Sequence, residues 1–119
     1  MVQSAGTSAG HRVEDELIGA IGEWNNRLAP GDIGPIGAVV GPTHVDAPLD
    51  LLGANGLFLA PGVGAQGATP ADVARVFATC PDRVMPSASR SLLVGGPDVG
   101  RLQDAAGALS AAFYEAFET

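Results

Sequence analysis

The sequence predicts an α/β fold with about three parallel strands and flanking helices, and three observations predict it. Short unbroken apolar runs recur along the chain, as in strands that are buried on both faces. Segments with apolar residues at intervals of three and four separate them, as in amphipathic helices. The two kinds of segment alternate, which favours parallel strands joined by right-handed crossovers.

The first predicted element is a helix over residues 12–28. It has one apolar stripe at helical spacing, formed by Val13, Leu17, Ile21, Trp24 and Leu28. The run Ala29-Pro30-Gly31-Asp32 ends it.

The first two strands follow this helix. Residues 36–40 form an apolar run that ends in Gly41-Pro42, and residues 57–60 form a second run that leads into a glycine-rich loop. Between them, residues 46–52 can form a short helix.

The next predicted helix spans residues 70–79. Thr69 is placed as its N-cap, Pro70 at its first position and Asp72 in its first turn, with Val73, Val76 and Phe77 facing inward. A weaker third strand covers residues 83–86. A long helix from about residue 97 to 117 completes the chain, with an inward stripe of Val99, Leu102, Ala106, Leu109, Phe113 and Phe117.

Three strands are too few to close a barrel, and helices packed on one face would leave the opposite face of the sheet bare. An exposed, all-parallel sheet of this size is not expected. Either further polypeptide covers that face or the helices lie on both faces. The low content of charged residues, 16% against roughly 25% in typical soluble domains, favours the first solution.

Composition excludes several classes of function. The net charge of −7, with no cluster of basic residues, argues against a nucleic-acid partner, and no apolar run approaches the length of a membrane span. The single cysteine, Cys80, cannot form an internal disulfide, and the first ten residues do not have the pattern of a signal peptide. A cytoplasmic protein is expected. All six basic residues are arginines, so the chain offers no lysine for catalysis.

The glycine loop after the second strand contains Gly62, Gly64 and Gly67 at the spacing of a dinucleotide-binding fingerprint. The surrounding pattern does not fit that motif, because the helix begins after the loop and Asp82 precedes the next strand instead of following it. The glycines fit better a loop whose backbone approaches an anion closely.

Gln66 lies in this loop, and Ser89 and Arg90 follow the third strand. Since the carboxyl ends of parallel strands share one edge of a sheet, an amide and a guanidinium are expected there together, and such a pair suits a phosphate. Taken singly, each is an ordinary surface residue. His44, after the first strand, could touch a ligand. No grouping of residues has metal-ligand spacing, and no nucleophile elbow is present.

The two motifs 61–67 (PGVGAQG) and 84–93 (VMPSASRSLL) closely resemble the phosphate-binding end of orotidine 5'-phosphate decarboxylase, and residues 37–43 resemble the preceding strand and turn. The resemblance implies a partial (β/α)8 TIM barrel, with residues 1–119 as its C-terminal half and residues 1–10 as a flexible start. It implies decarboxylation of orotidine 5'-phosphate to uridine 5'-phosphate, without metal or cofactor, in a family that is usually homodimeric.

The resemblance assigns Gln66, Arg90, Gly64, Gly67 and Ser89 to the substrate phosphate. Pro61 and Val63 are placed near the ribose and base. The family's catalytic Lys-Asp-Lys-Asp network belongs to earlier strands, and no catalytic residue is expected in this chain. Two alternatives stay open: another phosphate-binding barrel, such as a sugar-phosphate epimerase or synthase, and a non-catalytic module that binds a phosphate ligand.

Overall fold

Three short parallel strands lie side by side in chain order in a computed structural model that describes residues 5–6, 12–44 and 50–118. The strands are β1 (Ala38–Val39), β2 (Phe58–Ala60) and β3 (Val84–Pro86). The helices are α1 (Val13–Leu28), α2 (Pro70–Val76), α3 (Arg90–Leu93) and α4 (Val99–Glu118). The predicted parallel α/β arrangement is confirmed.

Strand register places two different rows of side chains on the two faces of the sheet. Ala38, Phe58 and Val84 are paired across the strands, and Val39, Leu59 and Met85 form the next row. The first row packs against the helices around Phe58, which is 1% exposed. The second row is 67%, 39% and 51% exposed in the same order.

The prediction of strands buried on both faces is therefore wrong for this second row. The core lies on one side of the sheet, where Phe58 and Phe77 stack with ring centroids 5.6 Å apart beside Val73. The helices lie on one face of the sheet, so the alternative with helices on both faces does not apply. The apolar row Val39, Leu59 and Met85 is called the bare row below.

Helix α1 buries only part of the apolar stripe that its sequence predicts. Its buried residues are Ile18, Gly22 and Asn25, and Ile21 of the stripe packs against the core, whereas Leu17, Trp24 and Leu28 are each more than half exposed. Helix α1 makes a close approach here: Gly22 lies against the backbone carbonyl of Gly53, and only a residue without a side chain fits there.

The remaining predicted elements differ mainly at their ends. Helix α2 begins where expected, and Thr69 and Asp72 form a reciprocal capping box. The short α3 is absent from the predicted elements. In α4 the prediction of an inward stripe is wrong for Val99, which is 66% exposed, and for Ala106, which is also exposed, whereas Leu102, Leu109, Phe113 and Phe117 are partly buried. Most of the predicted helix over residues 46–52 and of the flexible start lies outside the described residues, and a 3-10 turn covers Leu52–Ala54.

Candidate phosphate site at the carboxyl ends of two strands

Two segments meet where β2 and β3 end. The glycine loop, residues 61–69, follows β2, and the Ser-Arg segment, residues 87–91, follows β3. The amide of Ser87 donates to the carbonyl of Ala60 at 2.8 Å, and the amide of Val63 donates to the carbonyl of Ser87 at 3.4 Å. The strand pairing thus continues into both segments and holds them side by side.

The glycine loop turns tightly on its own hydrogen bonds. The amide of Gly64 donates to Ala68 at 2.9 Å, and the amide of Gly67 donates back to Gly64 at 3.0 Å. Gly62, Gly64 and Gly67 have φ values of 84°, 83° and 90°, a region that side chains disfavour. The loop is anchored by Val63 and Ala68, both 3% exposed. All three glycines are thus required by the backbone conformation of the loop.

Gln66 is exposed at the tip of this loop and folds back over Gly62. A Cβ atom placed on Gly62 would lie 2.8 Å from the side-chain oxygen of Gln66, so the absence of a side chain at Gly62 makes room for the amide group. Among the described residues, the backbone amides of Ala65 and Gln66 have no hydrogen-bond acceptor. The loop therefore presents free N–H donors next to a side-chain amide.

Arg90 is exposed at the start of α3 and makes no ion pair or hydrogen bond through its guanidinium with any residue in the described ranges. Ser89 precedes it as the N-cap residue, and its hydroxyl does not cap the helix. A guanidinium and a hydroxyl are thus available on the Ser-Arg segment. The hydrogen bonds between this segment and the glycine loop hold both sets of donors at the same edge of the sheet.

The other predicted site residues are less exposed to solvent or lie outside the described side chains. Pro61 is half-buried, and Val63 belongs to the core, so its contact with a ligand would be through its backbone. His44 ends the turn Pro42–His44, and its side chain lies outside the described part of the structure.

Two nearby polar groups are already engaged. The amide and hydroxyl of Thr69 both donate to Oδ2 of Asp72 at 2.9 Å. The backbone hydrogen bond from Thr69, and then its hydroxyl, lower the pKa of Asp72, so this carboxyl is ionised and internally satisfied. Thr69 is therefore not a donor for a ligand.

The described residues contain no group of three or more His, Cys, Asp or Glu side chains arranged to hold a metal ion. Cys80 is 1% exposed, and burial raises the pKa of its thiol, which disfavours the reactive thiolate. No helix in the described ranges is long and apolar enough to cross a membrane.

Comparison with known proteins finds relatives of one kind. The chain is 43% identical over 105 residues to an orotidine 5'-phosphate decarboxylase of Salinispora arenicola and 45% identical over 105 residues to one of Streptomyces coelicolor. Each match covers 88% of this chain and 37% of the relative. No family model matches the chain.

A crystal structure assigned to orotidine 5'-phosphate decarboxylase from Streptomyces avermitilis superimposes with a TM-score of 0.78 and 38% sequence identity. The match covers 99% of this chain and 41% of that one. The chain is homologous to a part of the orotidine 5'-phosphate decarboxylases. It spans about two fifths of the length of these relatives.

This relationship to the orotidine 5'-phosphate decarboxylases explains the bare row. A partial (β/α)8 barrel has helices on the outer face of its strands, while its inner face is covered by side chains from strands across the barrel. Val39, Leu59 and Met85 occupy that inner face. The ligand roles of Gln66, Arg90, Gly64, Gly67 and Ser89 stay predictions.

One residue of the site region is missed by the sequence pattern. Ser91 donates from its hydroxyl to the carbonyl of Val63 at 3.4 Å and so joins the two segments a second time. A serine next to an arginine after a strand gives no signal of such a contact, because the contact depends on how closely the two loops approach.

Proposed function

We propose that this chain supplies the phosphate-binding part of an orotidine 5'-phosphate decarboxylase, which converts orotidine 5'-phosphate to uridine 5'-phosphate. In this proposal the chain forms the sixth to eighth strands of the barrel. Gln66 and Arg90 bind the phosphate, and Ser89 contributes a hydroxyl donor. Gly64 and Gly67, whose own amides are engaged within the loop, form the turn that lets the free amides of Ala65 and Gln66 approach the anion. The observation that carries the proposal is the free guanidinium of Arg90 on a segment hydrogen-bonded to the glycine loop.

The phosphate is remote from the carboxylate that the reaction removes. Its binding energy can still serve catalysis, because it fixes the pyrimidine in place and helps to exclude water from the reacting groups.

The chain contains no lysine, and the family resemblance gives proton donation to a lysine. We therefore expect this chain alone to bind a nucleotide phosphate and to lack decarboxylase activity. Neither metal nor cofactor is required, and the complete barrel is proposed to be a cytoplasmic homodimer.

Titration of the purified chain with uridine monophosphate and with uridine tests the proposal. Uridine monophosphate should bind more tightly than uridine, since only the former carries the phosphate. Arg90→Ala should weaken binding of uridine monophosphate by about 10- to 100-fold, and Gln66→Ala by about 3- to 10-fold, as expected for charged and neutral hydrogen bonds. Binding of uridine should not change.

Arg75→Ala is the matched control. Arg75 is an exposed arginine in the last turn of α2, where it lies 4.0 Å from the carboxyl of Asp72, and its removal changes the net charge by the same amount. Equal losses in Arg75→Ala and Arg90→Ala would show that only general electrostatics attracts the nucleotide, and would contradict the proposed site.

A non-catalytic module that binds a phosphate ligand is the second candidate, favoured by the absence of lysine. The two candidate functions are distinguished by mixing this chain with the part of the Streptomyces coelicolor relative that this chain does not span. Decarboxylation of orotidine 5'-phosphate by the mixture supports the main proposal, whereas tight binding by the chain alone with an inactive mixture supports the module.

A further inference from the structure

Ser91 lies at the closest approach between the glycine loop and the Ser-Arg segment. Its hydroxyl donates to the carbonyl of Val63 at 3.4 Å. A Cβ atom placed on Gly64 would lie 2.7 Å from both Cβ and Oγ of Ser91, a separation that real side chains do not adopt. The Ser91 side chain is therefore packed directly against the backbone of the loop.

The contact joins the two groups that the proposed site needs. Ser91 follows Arg90 in α3, and the residues it touches, Val63 and Gly64, precede Gln66 by three and two positions. The contact therefore constrains the spacing between the two segments that carry Gln66 and Arg90. Since hydrogen bonds to an anion weaken steeply outside a narrow range of distance and angle, that spacing controls how well both can bind one phosphate.

We infer that Ser91 is a positioning residue for the phosphate site: it sets the separation of the glycine loop and the Ser-Arg segment without itself binding the ligand. This inference rests on the proposed function. The hydroxyl of Ser91 faces the Val63 carbonyl, which leaves Ser87 and Ser89 as the hydroxyl groups of the segment that are open to a ligand.

A double-mutant cycle tests this role. Ser91→Ala should weaken binding of uridine monophosphate by about 3- to 10-fold and leave uridine binding unchanged, the size expected for one neutral hydrogen bond. In a Gln66→Ala background the same change should cost less than about twofold, because there is no longer a Gln66 amide to position. Ser110→Ala, at an exposed position of α4 that lines the groove against β3, is the control.

Two results of the cycle would overturn the inference. An equal loss in both backgrounds would make Ser91 an independent ligand, and no loss in the wild-type background would remove its role. Ser91→Thr keeps the hydroxyl and should retain more of the wild-type affinity than Ser91→Ala does.

Amide hydrogen exchange in the ligand-free chain tests the contact independently of nucleotide binding. In Ser91→Ala, the hydrogen-bonded amides of Gly64, Gly67 and Ala68 should exchange about 3- to 10-fold faster, while those of Val73 and Phe77 keep their rates. Failure of the wild-type chain to bind uridine monophosphate would contradict the proposed function. The exchange measurement would still decide whether Ser91 holds the loop, and unchanged rates would overturn the inference.

Discussion

Asn25 is the clearest case of a single residue that organises its surroundings. Its side chain is fully buried and makes three hydrogen bonds with main-chain groups from two other segments. The amide nitrogen donates to the carbonyls of Ile36 and Ala54 at 2.8 Å each, and the side-chain oxygen accepts from the amide of Ile36 at 2.9 Å. Asn25 thus ties α1 to the start of β1 and to the turn before β2.

Asn25→Ala should lower the free energy of unfolding by about 2–4 kcal/mol, since it leaves one buried and two partly buried main-chain groups without their Asn25 partner. Asn26→Ala is the matched control on the next residue. The Asn26 side chain is exposed and accepts one hydrogen bond from Asn55 at 3.2 Å, so its loss should cost less than about 1 kcal/mol. Chemical denaturation measures the free energy of unfolding of both variants. Equal losses would show that the buried position of the Asn25 amide does not increase its contribution to stability.

At the scale of elements, α2 shows a helix start that the sequence specifies completely. Thr69, Pro70 and Asp72 have the residue types and spacing of a capping box with proline at the first helical position. Local chemistry decides such a start, and no distant contact is needed. The register of α1 is different, because its buried face is chosen by the fit of Gly22 against Gly53, a tertiary contact that periodicity does not reveal.

The same distinction applies to the candidate site. The glycine loop and the Ser-Arg segment could be placed from sequence because parallel strands end at one edge of a sheet. The hydrogen bond from Ser91 to Val63 could not, since it depends on how closely the two packed segments approach each other. A bare sheet face is one of the outcomes that the sequence predicts, but which row of residues forms it follows only from the strand register.

The capping box makes the stability of α2 depend on pH in the acid range. Because the hydrogen bonds from Thr69 lower the pKa of Asp72 in the folded chain, its carboxylate stabilises the fold above its unfolded pKa of about 3.9. That contribution is lost as the pH falls through the lower folded pKa. Asp72→Asn should therefore reduce the decrease in Tm between pH 7 and pH 3.

Thermal unfolding followed by circular dichroism at both pH values measures this difference. Asp104→Asn on the exposed side of α4 is the control, as it removes a carboxylate that caps no helix. If the two variants reduced the pH dependence equally, net charge and not the capping box would explain the effect.

At the scale of the whole molecule, several apolar surfaces of the described residues are left uncovered. They include the bare row on the inner face of the sheet, the exposed residues Leu17, Trp24 and Leu28 of α1, and a groove of about 780 Å³ between β3 and α4. Apolar residues such as Leu109, Phe113 and Phe117 line the groove. Surfaces of this extent are unusual in a self-contained domain, so we expect the remaining strands of the barrel to cover them.

Substitutions at Met85 and Val84 test this expectation, because the two residues are neighbours on β3 and their side chains point to opposite faces of the sheet. In this chain alone, Met85→Thr should change the free energy of unfolding by less than about 0.5 kcal/mol, as Met85 is 51% exposed. Val84→Thr should cost about 1–2 kcal/mol, since its hydroxyl would enter the core side of the sheet. When the rest of a relative's barrel is added, Met85→Thr should weaken the association between the two parts. Val84→Thr should not weaken this association beyond its effect on the stability of the chain itself. An isolated chain as sensitive to Met85→Thr as to Val84→Thr would mean that the bare row is already covered, and the expectation of a missing inner layer would be wrong.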